Sequence, residues 1–199
     1  MGFYEGRPVL VTGGASFIGS NLVEKLLHAG AKVRVVDDLS SGRKGNLSHV
    51  KDDIELVVTN LLDPSAATDV SKNQEVVFHL AADHGGRGYV DLHQSACATN
   101  MALDQNLFAA ALASKVDKFV FASSGCIYPI NIQNDLGEEL YLTEEMAGPP
   151  YDPDGMYGWA KLGGELTLKA LHKEKGLASA SCRYFTVYGP RGIENHAVM

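Results

Sequence analysis

The side chains with the clearest chemical potential are Tyr157 and Lys161, four residues apart in a segment that we predict to be helical. Residues at i and i+4 share one face of a helix, and the preceding apolar run KFVFASSGC predicts a strand whose end brings Ser124 nearby. A phenol near an ammonium and a nicotinamide cation has a lowered pKa, so it can take a proton from an alcohol while hydride leaves the carbon. The spacing therefore predicts chemistry at a sugar or alcohol carbon. The alternative is a structural pair, because this spacing is common on amphipathic helices.

The N-terminal segment PVLVTGGASFIGSNLVEKLLHAG predicts a strand, a glycine-rich turn and a helix. Gly13 and Gly14 allow a tight turn that brings backbone close to a pyrophosphate, and Gly19 allows the helix to pack against the strand. The first N–H groups of the helix, aided by its dipole, would face the phosphates. Ser16 stands where a third, central glycine is expected, and its hydroxyl can cap the helix. The segment predicts a dinucleotide site, with an ordinary glycine turn as the alternative.

The second predicted strand, AKVRVV, ends in Asp37 and Asp38. An acidic side chain at this position accepts hydrogen bonds from the adenosine ribose and repels a 2′-phosphate, so NAD is favoured over NADP. Two alternatives stay open: the acids cap the strand end, or Arg43 in SSGRKG neutralises a phosphate.

Composition restricts the class of protein. The 199 residues, 45% of them hydrophobic, suit one sizeable domain. No apolar stretch reaches the roughly eighteen residues that span a bilayer, and the N-terminus lacks the layout of a signal peptide, so we expect a soluble, cytoplasmic protein. Cys97, Cys126 and Cys182 have neither disulfide nor metal spacing and are expected to be free thiols. A net charge of −7 without basic runs argues against nucleic acid or an anionic membrane as partner.

Apolar β-branched runs alternate with helical stretches along the chain. We predict strands at 8–12, 32–37, 54–59, 75–80, 118–123 and 179–185, and helices at 17–29, 64–70, 92–114 and 155–175. This alternation predicts βαβ units and an α/β fold of the Rossmann type, a doubly wound parallel sheet covered on both faces. The long acidic segment 129–153 is predicted to be a loop beside the site.

Six motifs, TGGASFIG, VVDDLSSG, HLAAD, FASSGCIYP, YGWAK and RYFTVYGP, follow one another between about Pro8 and Pro190. In order and spacing the chain resembles the extended short-chain dehydrogenase/reductase family, in particular its nucleotide-sugar epimerases and dehydratases. The resemblance implies a catalytic triad in which Tyr157 exchanges the substrate proton, Ser124 orients the hydroxyl, and Lys161 holds the ribose and lowers the tyrosine pKa. It also implies NAD contacts from Gly13, Gly14, Ser16, Phe17, Ile18, Gly19, Asp37, Asp38, Asn60, Leu61, Ala81, Ala82, Tyr157 and Lys161.

Two segments bear on the branch of the family. Dehydratases of the family resemble one another in having an Asp-Glu pair at the positions of Gly125 and Cys126. The GDP-mannose 3,5-epimerase and GDP-fucose synthase branch instead carries cysteine at the second of these positions. Once C4 is a ketone, a Cys126 thiolate could remove a proton from C3 or C5. The alternative is a small cysteine that fills a gap at a strand end.

The segment DHGGRGYVDLH resembles the glycine-rich substrate loop of the same branch. His84 and His93 are candidate ligand contacts or ordinary polar residues. Two departures limit the match: Thr186 replaces a usual asparagine, and Asn195 stands where relatives place lysine or histidine, with His196 one residue further. We expect substrate contacts from Gly85, Gly86, Arg87, Ser124, Thr186 and His196.

The sequence is therefore predicted to be an NAD-dependent epimerase of a nucleotide-activated sugar that works through a transient 4-ketone, with the 3,5-type ahead of the 4-type. A reductase of the same family and a non-catalytic dinucleotide sensor are the alternatives, and the complete triad argues against the sensor. The chain ends at Met199, so we expect one NAD-binding domain over residues 1–199, with a substrate domain that begins near 186–199 and is mostly absent. By the same resemblance we expect a homodimer, and no metal.

Overall fold

The structure, a computed structural model, describes residues 2–133 and 141–192. Its parallel sheet consists of β1 (Pro8–Thr12), β2 (Lys32–Asp37), β3 (Ile54–Val58), β4 (Val76–His79), β5 (Lys118–Ser124) and β6 (Ala178–Tyr184). The strand order is β3-β2-β1-β4-β5-β6, so the chain reverses its direction across the sheet between β1 and β4. Thr12 lies opposite both Val36 and His79 in the register, so the carboxyl ends of the central strands meet at one edge. In doubly wound sheets this edge is where ligands bind.

Helices cover both faces of the sheet. They are α1 (Phe17–His28), α2 (Pro64–Ser71), α3 (Arg87–Leu92), α4 (Gln94–Ala98), α5 (Asn100–Ala113), α6 (Ile130–Gln133) and α7 (Gly155–Lys175). Short 3₁₀ turns lie at Lys44–Leu47, Gly125–Ile127 and Glu144–Ala147. Local chemistry sets some of these bounds: the Asp63 side chain caps α2 by accepting from Ser65 N, and α7 ends at Gly176, whose φ of 78° is in the left-handed region.

The sheet separates two apolar cores, because side chains alternate along each strand and both faces are covered. One core packs the strands against α2, α5 and α7, and includes Leu10, Val36, Val77, Leu107, Phe108, Phe119, Phe121 and Leu168. The other packs them against α1 and includes Val9, Val11, Val23, Leu26, Val33 and Val35. The inner strands β1 and β4 are apolar on both faces for this reason, and the prediction of a doubly wound parallel sheet is confirmed.

All six predicted strands are present, and each of their ends lies within one residue of its predicted position. The prediction of a single helix over 92–114 is wrong, because this segment contains the last residue of α3, all of α4 and all of α5. His93, with φ −121° and ψ 45°, separates α3 from α4. At Thr99 the side-chain hydroxyl donates to the carbonyl of Ala96 at 2.6 Å, a bond that bends helices.

The segment predicted as a loop, 129–153, contains α6 and one 3₁₀ turn, and residues 134–140 of it lie outside the described residues. Within residues 2–133 and 141–192, none of the helices has the length and apolar character needed to cross a membrane.

Candidate active site

The glycine-rich turn between β1 and α1 is packed so closely that side chains would not fit. Gly13 has φ +68°, and a Cβ on it would come within 2.8 Å of the backbone nitrogen of Ala81, which follows β4. A Cβ on Gly19 would lie 2.1 Å from the carbonyl oxygen of Gly13. The turn therefore lies against the end of β4 and the first turn of α1, as a phosphate-binding turn requires.

Ser16 occupies the N-cap position of α1, but its hydroxyl makes no capping hydrogen bond to the helix. The hydroxyl instead donates to the carbonyl of Gly13 at 2.8 Å. The expectation that Ser16 caps the helix through its hydroxyl is therefore wrong, because the proton is used to close the turn. The serine stabilises the turn and leaves the first N–H groups of the helix open to an anion.

Asp37, at the end of β2, is 7% exposed and accepts from the backbone N–H groups of Ala15 and Leu39, each at 2.9 Å. Burial raises the pKa of Asp37 above its ordinary value, while the two N–H groups oppose this shift. The carboxylate thus joins the glycine-rich turn to the loop after β2. Asp38 is exposed and accepts from the backbone and the hydroxyl of Ser40.

Both aspartates line a cavity of about 240 Å³, whose other lining residues include Gly13, Ser40, Asn60, Leu61, Ala81 and Ala82. Asn60 is oriented there by its side-chain oxygen, which accepts from Leu62 N at 2.9 Å. Among the described residues that line this cavity there is no lysine or arginine, and Arg43 is not one of them. This favours a ribose with free hydroxyls over one that carries a 2′-phosphate.

The three predicted catalytic side chains lie together where β5 ends and α7 begins. Ser124 is the last residue of β5, and its side chain acts on Tyr157 in the direction that lowers the tyrosine pKa. Lys161 is 1% exposed, with Nζ 4.7 Å from the ring centroid of Phe121 and 5.8 Å from that of Tyr157. The structure therefore brings Ser124, Tyr157 and Lys161 to one place.

The turn after β5 rests directly on α7. The backbone N–H of Asp154 donates to the carbonyl of Cys126 at 2.8 Å. A Cβ on Gly158 would come within 2.4 Å of the same oxygen, so only glycine lets α7 approach the turn this closely. Gly158 follows Tyr157 in the chain, and this contact sets the distance between the tyrosine and Ser124.

Burial dominates the electrostatics of the site. It raises the pKa of Tyr157 above its ordinary value, and the negative charges of Cys126 and Asp104 act in the same direction. Burial also lowers the pKa of Lys161, against the opposing effect of Asp104. The expectation that neighbouring groups lower the tyrosine pKa is therefore not met by the protein's own residues. A positive charge beside the phenol would act in the opposite direction and lower the pKa of Tyr157.

These side chains face a second cavity of about 370 Å³. Of the predicted site residues it is lined by Ser16, Phe17, Ile18, Gly19, Ala82, Gly85, Gly86, Arg87, Ser124, Cys126, Tyr157, Lys161 and Thr186. Ser16, Leu80, Ala82 and His84 line both cavities, so the two form one cleft that runs from the aspartates to the triad. Such a cleft, from a ribose-type pocket past a phosphate-binding turn to the triad, has the shape that a dinucleotide needs.

Arg87, at the start of α3, pairs with Asp154 at the N-terminus of α7. The Asp154 side chain is 11% exposed and that of Arg87 is 62% exposed, so the ion pair lies at the cavity mouth. Sequence reasoning missed Asp154; its position just before a helix, in PDG, was the available signal.

His93 is not a lining residue, because its ring stacks on Tyr89 with centroids 4.1 Å apart. His196 lies outside the described residues.

The Cys126 thiol is half-buried and lines the cavity beside Ser124. Burial raises its pKa and Asp154 acts in the same direction, while Arg87 opposes the shift. The protein's own groups thus favour the thiol over the thiolate. Cys97 and Cys182 are also free cysteines, as predicted.

Comparison with known proteins agrees with this geometry. The chain is 31% identical over 192 residues to GDP-mannose 3,5-epimerase of Arabidopsis thaliana, covering 94% of this chain and 49% of that protein. It is 33% identical over 186 residues to UDP-glucose 4-epimerase of Mycolicibacterium smegmatis, covering 92% and 56%. The chain therefore spans about half the length of the curated relatives it matches.

A solved structure of the Thermus thermophilus UDP-glucose 4-epimerase in complex with NAD superposes with a TM-score of 0.81 at 31% identity, covering 96% of this chain and 58% of that one. The Thermotoga maritima UDP-glucose 4-epimerase, solved with UDP-glucose, gives a TM-score of 0.77 at 34% identity, covering 92% and 57%. The family model described as NAD dependent epimerase/dehydratase matches residues 9–199. The family and its NAD dependence agree with the sequence-based prediction, and the chain belongs to the NAD dependent epimerase/dehydratase family.

Proposed function

We propose that this chain is the cofactor-binding and catalytic part of an epimerase that acts on a nucleotide-activated sugar through a transient ketone at C4. The observation that carries this proposal is the meeting of Ser124, Tyr157 and Lys161 in a cleft that begins at the glycine-rich turn. The names of the relatives support the substrate class, since they include epimerases of UDP- and GDP-sugars.

The residues of the cleft fit NAD. The turn from Gly13 to Ser16 would hold the pyrophosphate, Asp37 and Asp38 the adenosine ribose, and Asn60 the adenine. At the other end, Lys161 Nζ is buried and has no hydrogen-bond partner among the described residues, so ribose hydroxyls would satisfy it. Bound NAD⁺ supplies the acceptor for the C4 hydride and a positive charge beside the phenol.

Tyr157 is the proton acceptor in this proposal. As the C4 hydroxyl is oxidised, its proton passes to the Tyr157 oxygen, the C4 hydride leaves with the electron pair of the C–H bond, and the carbon becomes a ketone. Ser124, which lines the same cavity as Tyr157, orients the sugar hydroxyl. The Lys161 ammonium stabilises the phenolate, and the Tyr157 phenol gives its proton back to the C4 oxygen when the ketone is reduced again.

The 3,5-type reaction is the first of two forms of this proposal. Cys126 lines the same cavity as Ser124 and Tyr157, where a thiolate could reach the protons that a C4 ketone makes acidic at C3 or C5. The raised pKa of Cys126 favours the second form, a 4-epimerase that needs no such base.

Incubation of the full-length protein with a panel of sugar nucleotides in deuterated water tests the proposal. A 3,5-epimerase introduces deuterium at C3 or C5, whereas a 4-epimerase inverts C4 without solvent label. Tyr157→Phe is the control, since it removes the proton acceptor and keeps the ring. Absence of both label and inversion across the UDP, GDP and dTDP sugars would reject the proposal.

A homodimer is also proposed, because α5 and α7 expose large apolar side chains on neighbouring helices. Met101 is 38% exposed, Leu166 40% and Trp159 43%. Burial of such side chains drives association of subunits. Light scattering that gives a monomer mass at micromolar concentration would contradict this part of the proposal.

A further inference from the structure

A chain of buried hydrogen bonds runs behind the catalytic side chains. Thr12, the last residue of β1, bonds through Oγ1 to Nδ1 of His79 at 2.7 Å, and Nε2 of His79 bonds to Oδ1 of Asp104 at 2.9 Å. Each of the three residues is at most 1% exposed. None of them is among the residues to which the sequence motifs gave a role, yet they connect the glycine-rich turn to α5.

The hydrogen bonds assign the tautomer of His79. Oγ1 of Thr12 accepts from the backbone N–H groups of Leu80 and Ala81, at 3.2 and 3.1 Å. The Leu80 N–H is shared with the Thr12 carbonyl oxygen, also at 3.2 Å. We assign the hydroxyl as the donor to Nδ1 of His79 and Nε2 as the donor to Asp104. In this assignment His79 is neutral and does not neutralise the Asp104 carboxylate.

One buried polar side-chain atom on α5 and one on α7 lack a hydrogen-bond partner among the described residues. Oδ2 of Asp104 and Nζ of Lys161 are both buried, and neither has a hydrogen-bond partner in the part of the chain that the structure describes. A Cβ on Gly164 would lie 3.4 Å from this Asp104 oxygen and 2.6 Å from Cζ of Phe121. Gly164 is one helical turn after Lys161, and Phe121 is the ring beside Nζ. Because residue 164 has no side chain, the Asp104 carboxylate can approach the face of α7 that carries Lys161.

The other titratable groups around Lys161 do not supply this negative charge. On α7 itself, Tyr157 is a phenol with a raised pKa, and Glu165 is paired with Arg183. Two thiols lie nearby, Cys97 on α4 and Cys126 after β5, and burial raises the pKa of each. From β4 the neutral His79 faces Asp104 rather than the lysine. Of the described groups, the Asp104 carboxylate is the one that favours the charged form of Lys161.

We propose that Asp104, oriented by His79 and Thr12, is the counter-charge that keeps buried Lys161 protonated, and that it thereby acts as a positioning residue for proton exchange at Tyr157. The catalytic part of this inference rests on the proposed function, while the charge of Lys161 does not. A buried ammonium without a partner would lose its proton, and a neutral lysine could not stabilise a phenolate. A carboxylate in the same interior compensates the charge without touching the substrate.

The test is a direct titration of the Lys161 ammonium in the 199-residue chain, by NMR of protein with ¹³C- and ¹⁵N-labelled lysine. Lys161→Arg identifies the signal by its disappearance. We expect an ammonium signal for Lys161 in the wild-type protein at pH 7, and a titration midpoint lower by at least about one pH unit in Asp104→Asn. His79→Gln keeps the carboxylate charge, so its midpoint should stay much closer to the wild-type value. Asp69→Asn is the matched control, because it removes an exposed carboxylate on α2, and it should leave the Lys161 titration midpoint unchanged.

An unchanged midpoint in Asp104→Asn would overturn the inference. Should that variant fail to fold, Asp104→Thr removes the same charge with a smaller side chain, and a neutral amine signal for Lys161 in the wild-type protein at pH 7 would also overturn it. In the full-length enzyme, loss of the counter-charge should move the alkaline limb of the pH–rate profile to lower pH, whereas a purely structural role would lower the rate equally at all pH values. Since the NMR titration needs no turnover, it separates failure of this inference from failure of the proposed function.

Discussion

Gly158→Ala should damage the catalytic geometry while leaving the phosphate-binding turn and the pocket of Asp37 and Asp38 intact. The new Cβ would lie 2.4 Å from the carbonyl oxygen of Cys126 and 3.1 Å from Cβ of Pro153. Since Cβ atoms do not approach other heavy atoms closer than 3.0 Å, α7 and the turn must separate by at least 0.6 Å. Strain of this kind costs about 1–3 kcal/mol of stability. Tyr157 precedes the substituted residue, and a displacement near 1 Å in an active site costs on the order of 100-fold in rate.

The assay compares kcat of full-length wild-type and variant enzymes, their affinity for NAD by calorimetry and their thermal unfolding. We expect kcat to fall by roughly 100-fold and the affinity for NAD to fall much less, since the glycine-rich turn and the pocket of Asp37 lie elsewhere and only the ribose contact of Lys161 is on α7. Gly163→Ala is the matched control on the same helix, because its Cβ would meet nothing within 4 Å. That variant should gain about 0.5–1 kcal/mol of stability and keep its rate. A wild-type rate in Gly158→Ala would refute the claim that this contact sets the position of Tyr157.

Three further predictions follow from the site. Tyr157→Phe should abolish epimerisation and leave NAD affinity nearly intact, because the phenol acts on the transition state; turnover by the full-length variant would contradict its role. NAD should bind at least about tenfold more tightly than NADP, a difference of about 1.4 kcal/mol, because Asp37 and Asp38 line a pocket without lysine or arginine among its described residues; equal affinities in calorimetric titrations would rule this out. If Cys126 is the base of the 3,5-type reaction, Cys126→Ser should nearly stop the entry of solvent deuterium at C3 and C5 while oxidation at C4 persists, and mass spectrometry that finds an unchanged label pattern would make the thiol a packing residue.

The four inner strands were predictable because β1, β2, β4 and β5 are short apolar runs that are largely buried, and the register then brings their carboxyl ends together. Tyr157 and Lys161 were predictable because the period of a helix fixes which residues share a face. The spacing could not show how deeply the pair is buried. Sequence reasoning therefore predicted a lowered pKa for Tyr157, whereas desolvation by the surrounding core raises it.

Other features depend on contacts between residues that are distant in the chain. Asp104 and His79 are 25 residues apart, and nothing local distinguishes Asp104 from a surface carboxylate of an amphipathic helix. The pairing of Arg87 with Asp154 spans 67 residues and likewise has no local pattern. The helix break at Thr99 results from a side-chain hydrogen bond that competes with the backbone, in a segment whose composition favours a continuous helix.

The most direct test of the account is chemical trapping of the ketone. Full-length enzyme that is turning over a sugar nucleotide is quenched with sodium borodeuteride, and the recovered sugar is analysed for the position of deuterium. The account predicts deuterium at C4 with the wild-type enzyme and none with Tyr157→Phe, because the Tyr157 phenolate must accept the hydroxyl proton as the ketone forms. Rapid epimerisation by the wild-type enzyme without deuterium at C4 would contradict it.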